Sequence, residues 1–321
     1  MQTTHYSYSR PSATAVADRV TANYELPGKL HCQYFVSGLH DNYLIESDHA
    51  RYILRIYRAD WRSDEEVAFE LQWLDLLGRV NAPVASPIIT NKGQTFFHID
   101  SVEARRAAAL FNYAEGSAPG NRLTVTESTL LGKTVARTHA LSDGLALSHS
   151  RQLLDIPYLL DRSLEVIAPY VDTRMKDYLF TLQTRLKQEL PELPQTSPVY
   201  GLCIGDVNGS NFHINEQQQI TLFDFDQCGY GHRAFEIGKF CSSVHGLEHK
   251  ADIKRAFLEA YQQERKLSTE ELRAIPYYEI VSVIWVMAIH VDNVDYIGRK
   301  LLSQAFWDRK QTSLREMERA L

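Results

Sequence analysis

The apolar pattern of the chain changes from strand-like to helical near residue 115, and this change constrains the fold more than any other feature. Before it, runs rich in aromatic and β-branched residues, separated by turn residues, predict three antiparallel strands at 33–36, 42–45 and 51–57. Two more strand-like runs follow at 95–99 and 107–113. The first part of the chain is therefore predicted to form a small β-rich lobe.

One main helix interrupts these strands, between the third and the fourth. It is predicted from Ser63 to Gly78, because apolar residues recur there at intervals of three and four. Ser63 and Glu66 also have the spacing of a capping box, which marks the start of a helix. A shorter helical pattern precedes the first strand, from Ala13 to Leu26.

Helical patterns dominate the rest of the chain, with one strand-like interruption at 212–214 and 220–223. The predicted helices are 126–140, 157–170, 173–189, 232–244, 253–263, 269–296 and 302–321. We place the boundary where the strand pattern gives way to small residues, which divides the chain into lobes at 1–114 and 115–321. The fold class is α+β, with a smaller β-rich lobe and a larger helical one.

Composition excludes several classes of function. A net charge of −6 without a Lys/Arg block argues against nucleic acid as a partner, because neutralising phosphates needs clustered cations. The four cysteines lack the C-x-x-C spacing of a zinc site, and the N-terminus lacks the pattern of a signal peptide. The most apolar stretch, 280–291, is too short to cross a bilayer. We therefore expect a cytoplasmic protein without a membrane partner, and its oligomeric state stays open.

The segment with the clearest chemical content runs from Tyr200 to Gly229. Asp206 and Asn211 lie five residues apart in a glycine-containing loop, and Asp224 ends a strand 13 residues after Asn211. A hairpin between the two short strands would bring all three side chains to one end. Carboxylate and amide oxygens suit Mg²⁺, and the remaining carboxylate could hold a hydroxyl for phosphoryl transfer. The alternative is that these residues only make turns.

This segment resembles the catalytic region of the aminoglycoside phosphotransferase/choline kinase-like family, whose members are small-molecule relatives of protein kinases. The resemblance extends through most of the chain and implies a protein kinase-like bilobal fold that uses ATP and Mg²⁺. It implies that Asp206 is the catalytic base, and that Asn211 and Asp224 are magnesium ligands. Asp226 is a further candidate for the metal or the substrate.

The first lobe contains residues that fit the same resemblance. Arg55 occupies the position of the family's phosphate-binding lysine, and Glu70 matches the acidic residue that orients it. An exposed strand arginine and a solvated helix glutamate are the alternatives for each residue taken singly. The loop 37–42, with Ser37 and Asn42, would cover the phosphates, and Phe111 and Tyr113 fall where the adenine-binding hinge is expected; a plain hairpin is the alternative for the loop.

Four positions depart from the family pattern. The two histidines of the loop motif are Ile204 and Asn208 here, and the aspartate expected in the following helix is Glu236. Arg55 replaces the usual lysine, which is not a neutral exchange, because guanidinium binds phosphate through a planar fork. These departures leave the proposed base and both metal ligands in place.

The acceptor is expected to be a small hydroxylated molecule bound by the helical lobe. On one continuous helix, Trp285, Asp292 and Asp295 would share a face, and a ring beside carboxylates can hold an ammonium group. This favours a cationic acceptor such as an amino alcohol or amino sugar. The alternative, favoured by base rates, is a core helix whose end becomes polar at the surface.

The predicted function is ATP- and Mg²⁺-dependent transfer of the γ-phosphoryl group to a small-molecule hydroxyl. Its partners are accordingly a nucleoside triphosphate and the acceptor. The alternative is a weak or inactive nucleotide-binding pseudokinase with a regulatory role, for which the altered loop residues would be the signature. A protein kinase is less consistent with the sequence, because only a few residues separate Asp224 from the next helix.

Overall fold

The structure, a computed structural model, describes residues 7–321. The chain divides into two compact units that are discontinuous in sequence. The first comprises residues up to 116 together with 146–151 and 221–223. The second comprises 117–145, 152–220 and 224–321.

The first unit contains a five-stranded antiparallel sheet and two helices. Its elements are α1 (Ala13–Asn23), β1 (His31–Ser37), β2 (Asp41–Glu46), β3 (Arg51–Ile56), α2 (Asp64–Arg79), β4 (Phe97–Asp100) and β5 (Arg105–Asn112). The strands are ordered β1-β2-β3-β5-β4, and each neighbouring pair is antiparallel. The predicted order of strands and helices is confirmed.

The core of the first unit lies between α1 and one face of the sheet. Val16 and Val20 of α1 are buried there against apolar side chains from four strands: Tyr43, Ile45, Leu54, Ile56, Phe97, Ile99, Ala108 and Leu110. The period-two alternation of a strand explains why Leu54 and Ile56 face this core while Arg55 points to the opposite face. The sheet thus directs the Arg55 side chain away from its apolar core.

The helix α2 begins with the predicted capping box. The Ser63 hydroxyl accepts from the backbone N–H of Glu66, whose carboxylate in turn accepts from the N–H of Ser63. Its apolar residues are buried, and so is Glu70. A charged side chain without exposure needs a partner inside the protein, and the first unit supplies one, as described below.

The short segment 146–151 binds to α2, although it is distant in sequence. The side chain of Gln72 accepts from the backbone N–H of Ser148 over 2.9 Å, and Glu65 accepts from the N–H of Ser150 over 2.9 Å. Arg151 donates to the backbone carbonyl of Glu66 over 2.9 Å, and its guanidinium lies 3.9 Å from the Glu70 carboxylate. These contacts make the segment part of the first unit.

From residue 117 onward the chain is mostly helical. Its elements are α3 (Val125–Ser142), α4 (Ser163–Ile167), α5 (Thr173–Glu189), β6 (Tyr200–Cys203), β7 (Phe212–Ile214), β8 (Ile220–Leu222), β9 (Gly229–His232), α6 (Arg233–Ser243), α7 (Lys250–Glu264), α8 (Thr269–Asp292), α9 (Val294–Ile297) and α10 (Gln304–Glu318). A single π-helical stretch, Pro157–Arg162, precedes α4. The predicted hairpin is β7 with β8. The antiparallel pair β6 and β9 was not predicted.

The long helix α8 is the central core helix of the second unit. It is long and apolar enough to cross a membrane, but 72% of its most apolar window is buried inside the protein. The core helix of a globular protein can have the same length and apolar composition as a membrane span. The burial of α8 agrees with the prediction of a buried helix here. The helix ends at Asp292 instead of continuing to Tyr296, because Asn293 is buried and leaves the helical conformation. Its side chain donates to the carbonyl of Ile289 over 2.6 Å.

Candidate active site

Asp206 lies in the loop between β6 and β7, where four hydrogen bonds organise its surroundings. Asn211 Nδ2 donates to Asp206 Oδ2 over 3.0 Å and to the Asp206 carbonyl over 2.9 Å. Asn208 Nδ2 donates to the same carbonyl over 3.1 Å, and its Oδ1 accepts from the N–H of Ser210 over 2.8 Å. The two polar residues predicted from the loop motif, Asp206 and Asn211, are therefore in direct contact.

The loop is fixed on its N-terminal side by Gly205. This residue has φ +84°, in the left-handed region that side chains rarely adopt. A Cβ atom there would lie 2.0 Å from the carbonyl oxygen of Gln227. Only glycine fits both the backbone conformation and the space, so the position of Asp206 depends on it.

Glu236, at the start of α6, anchors the same loop from inside the protein. Its carboxylate accepts from the backbone N–H of Ile204, and from that of Gly205 over 3.0 Å. Burial raises the pKa of Glu236 to about 7, although these two hydrogen bonds favour the ionised form. Ile204 is itself buried. Two of the four departures from the family pattern, Ile204 and Glu236, are therefore in contact, and together they hold the start of the loop that carries Asp206.

A histidine supports Glu236. His139 Nε2 lies 3.4 Å from Glu236 Oε2, and its Nδ1 lies 2.8 Å from the Tyr261 hydroxyl. Burial holds the pKa of His139 well below its ordinary value, so the ring is neutral and donates from one nitrogen only. The neutral form that donates to Glu236 and accepts from Tyr261 fits both contacts. His139, Cys203 and Glu236 converge within 4.8 Å, but all three already have hydrogen-bond partners, since the Cys203 thiol lies 3.6–3.7 Å from three backbone carbonyl oxygens.

Lys239, one turn after Glu236 on α6, forms an ion pair with Asp206 that sequence reasoning missed. Its Nζ lies 2.6 Å from Asp206 Oδ1; the lysine side chain is 5% exposed and the aspartate side chain 33%. Desolvation raises the pKa of the Asp206 carboxyl, but the Lys239 ammonium and hydrogen bonds from Asn208 and Asn211 outweigh it, and the pKa lies below its ordinary value. Asp206 is therefore held ionised.

The remaining acidic residues of the motif lie just after β8. Asp224 has φ +62°, an uncommon conformation for a residue other than glycine. Such strained positions are concentrated at functional sites, which agrees with the role expected for Asp224. Asp226 is buried and accepts from Gln227 Nε2 over 3.0 Å.

The donor set fits a magnesium ion. Asp224 supplies carboxylate oxygens, and the Oδ1 atom of Asn211 accepts no hydrogen bond within residues 7–321. Both are hard oxygen donors of the kind that Mg²⁺ prefers. The Asn211 amide is oriented by its Nδ2 bonds to Asp206, which leaves its oxygen for a metal.

In the first unit, Arg55 and Glu70 form a buried ion pair. Arg55 Nη1 donates to Glu70 Oε1 over 3.2 Å, and the Arg55 guanidinium also lies 5.4 Å from the centre of the Phe111 ring. Asn42 sits directly opposite Arg55 in the pairing of β2 with β3. Four of the six residues predicted for the nucleotide therefore lie around Arg55.

The other two nucleotide candidates lie elsewhere on the sheet. Ser37 ends β1 and pairs with Asp41 across the β1–β2 turn. The Tyr113 ring lies 4.3 Å from the guanidinium of Arg51, which also binds Glu115. Tyr113 therefore packs against an exposed arginine, beyond the end of β5.

The three predicted acceptor residues lie on two successive helices. Trp285 is 1% exposed and packs edge-to-face on Phe235, at 5.6 Å between ring centres. Arg162 binds the Asp292 carboxylate through two hydrogen bonds of 2.9 and 3.1 Å. Asp295 lies in the separate helix α9. Trp285 and Asp292 lie two turns apart on α8, whereas the single helix through Asp295 that the prediction assumed is interrupted at Asn293.

A family model and a relative of known sequence both match most of this chain. A model of the phosphotransferase enzyme family matches residues 31–275. An uncharacterised protein of Synechocystis sp. is 33% identical over 314 residues, which cover 97% of this chain and 86% of that protein.

Two solved structures have the same fold at 20% sequence identity each. One is an amicoumacin kinase in complex with AMP-PNP, Ca²⁺ and a molecule abbreviated Ami; its TM-score is 0.78, over 96% of this chain and 93% of that one. The other is a microcompartment-associated aminopropanol kinase with a TM-score of 0.76, over 95% of each chain. The expected protein kinase-like α+β fold is confirmed.

Proposed function

The chain belongs to the phosphotransferase enzyme family and is a small-molecule kinase, and from this premise we propose that it transfers the γ-phosphoryl group of ATP to a hydroxyl group of a small molecule. The observation that carries the proposal is the contact between Asp206 and Asn211. It supports the proposal because the amide nitrogen of Asn211 donates to the ionised carboxylate, and the amide oxygen accepts no hydrogen bond within residues 7–321. The four free cysteines fit a reducing compartment, and we place the reaction in the cytoplasm.

Asp206 is the proposed base. The acceptor oxygen forms a bond to the γ-phosphorus as the bond from that phosphorus to the β–γ bridging oxygen breaks. ADP leaves with the electron pair, and the hydroxyl proton passes to Asp206. A carboxylate of low pKa can take this proton only late in the transfer, which agrees with a loose transition state in which positioning dominates.

Arg55 is the proposed partner of the ATP phosphates. Glu70 holds its guanidinium from one side at 3.2 Å, and a guanidinium is a planar fork that matches the geometry of phosphate oxygens. Asn211 and Asp224 would hold Mg²⁺, with Asp226 close by in sequence. When bound, the metal neutralises the charge that develops on the phosphates.

The test uses the purified protein with and without ATP and Mg²⁺. Thermal shift measures nucleotide binding, and ADP release measures turnover on a panel of hydroxylated amines, acids and sugars. We expect Mg²⁺-dependent binding and acceptor-dependent turnover. Asp206→Asn should keep the binding and lose turnover by about 10²–10⁴-fold, the range for a general base. Binding without turnover on any acceptor would instead favour the pseudokinase alternative.

A further inference from the structure

We propose that the site beside Asp206 selects an acceptor that carries an anionic group, a carboxylate or phosphate, close to its reacting hydroxyl, and that Lys239 determines this selectivity. The inference rests on the proposed function, because it takes Asp206 as the group that receives the hydroxyl. It replaces the cationic acceptor expected from the sequence.

The ammonium group of Lys239 can donate more hydrogen bonds than it makes. Its ammonium has three N–H donors, and within residues 7–321 Asp206 is its one ion-pair partner. The side chain is almost fully buried, so water does not solvate the other two donors freely. An ammonium buried with unsatisfied donors is costly, and an anionic group of a bound molecule would satisfy them.

A second lysine adds to the positive charge. Lys310 of α10 is half-buried, its Nζ lies 5.7 Å from the centre of the Phe306 ring, and in the described part of the chain it has no carboxylate within 4.0 Å. Burial lowers the pKa of Lys310 most, and the positive charge of Lys239 lowers it further. Two ammonium groups that repel each other through the protein are stabilised together by an anion.

The acidic groups that could bind a cation on α8 are already neutralised. Asp292 is held by Arg162 through two hydrogen bonds. Glu279 binds Lys254, with His245 Nδ1 at 3.6 Å. An ammonium group next to the reacting hydroxyl would therefore meet the like charge of Lys239, while Asp292 and Glu279 are already paired with other cations.

The experiment compares four acceptors that share a three-carbon skeleton and differ at one end. They are glycerate, glycerol 3-phosphate, glycerol and 3-amino-1,2-propanediol. We expect kcat/KM for one of the two anionic compounds to exceed that for the amine by at least about 10-fold. The two anionic compounds separate a carboxylate site from a phosphate site.

The variants are Lys239→Met, Lys239→Arg and Lys310→Met, with the exposed Lys266→Met as the matched control. Lys239→Met should abolish the preference for the anionic compound, whereas Lys239→Arg should retain most of it. A merely structural role would lower all four rates equally and leave their ratio unchanged. That result, or a preference of the wild type for the amine, would overturn the inference and leave the proposed kinase function intact.

A binding measurement covers the case in which none of the four compounds is phosphorylated. Acetylation of Lys310 by acetic anhydride is followed by mass spectrometry, with Lys266 as the internal reference. Glycerate or glycerol 3-phosphate should slow the labelling of Lys310 at least about threefold more than the amine does. Equal labelling with all four compounds would refute the anion site. A wild type that neither binds ATP with Mg²⁺ nor releases ADP would contradict the proposed function instead.

Discussion

Arg55 and Glu70 are joined by a hydrogen-bonded ion pair of 3.2 Å, and the carboxylate of Glu70 is fully buried. The pair links β3 to α2 on the face of the sheet opposite its apolar core. Because each charge lies in low-dielectric surroundings, the orientation of the guanidinium depends on its partner.

Glu70→Gln should lower kcat/KM for ATP by about 10²-fold, the effect of misplacing a group that aligns phosphates. The control is Asp75→Asn on the same helix, whose carboxylate pairs with Arg79 one turn away. Such helix-surface pairs contribute little, so this variant should behave like the wild type. Steady-state kinetics with varied ATP distinguishes the two. Equal kinetics for both variants would show that Glu70 does not orient Arg55.

Gly205→Ala should destabilise the protein more than Gly144→Ala does. Both glycines have positive φ, +84° and +77°, so both variants carry the strain of a left-handed residue, about 1–2 kcal/mol. A Cβ at Gly144 meets open space, whereas one at Gly205 meets the Gln227 carbonyl at 2.0 Å. Urea denaturation should show a further loss of about 1–3 kcal/mol in the free energy of unfolding of Gly205→Ala. Equal losses would mean that the loop can move aside.

The stability of the wild type should depend on pH through Glu236. Its pKa is about 7 in the folded protein against an ordinary value of 4.5, so the folded state retains a proton between these values that the unfolded chain has lost. The free energy of unfolding therefore falls as pH rises from 4.5 through 7, by at most about 3 kcal/mol.

Glu236→Gln removes this titration. Denaturation at pH 5 and pH 8 should show that the wild type loses stability relative to Glu236→Gln at the higher pH. The exposed Glu248→Gln serves as the control and should follow the wild type at both pH values. A constant difference between wild type and Glu236→Gln would contradict the raised pKa.

Arg106→Met should destabilise the first unit by about 3–5 kcal/mol, because it removes the buried cation from the buried Asp41 carboxylate and leaves the partly exposed Arg10, with its Nε 3.5 Å away, as the remaining one. Arg106 and Asp41 are both buried and lie 2.8 Å apart, and Arg106 also donates to the carbonyls of Tyr57 and Ile56. Chemical denaturation measures the loss. The neighbouring Arg105 is exposed, so Arg105→Met should cost less than about 1 kcal/mol. Adding Asp41→Asn should recover part of the stability lost in Arg106→Met, and a failure to do so would assign the loss to packing.

Local sequence signals predicted most of the fold. The capping box of Ser63 and Glu66 and the alternation around Arg55 depend on residues within a few positions of each other, so they are visible in the sequence. The strands β6 and β9 were missed because each has four residues and includes glycine, which leaves too few apolar positions to establish a period. Their pairing is a tertiary contact.

In the site, too, contacts between residues close in sequence were predictable and contacts between distant residues were not. Asp206 and Asn211 lie five residues apart in one loop, so their proximity follows from the motif. Lys239 reaches Asp206 from a helix 33 positions later, and no local pattern encodes that approach. A signal was present, since Lys239 lies between Ile237 and Phe240, and a lysine next to apolar residues in a helix needs a partner if it is buried. The helix α8 ends at Asn293, whose side chain donates to the carbonyl of Ile289. The spacing of apolar residues in the sequence does not reveal this hydrogen bond.

The return of residues 146–151 to α2 has a practical consequence for dividing this protein. A fragment that stops at 116 would contain α2 but would lack the backbone donors that bind Gln72 and Glu65, and would lack Arg151 near Glu70. No single cut of the gene therefore yields the first unit intact. In a circular permutant, or in a chimera that exchanges halves with a relative, the segment 146–151 must therefore stay together with α2.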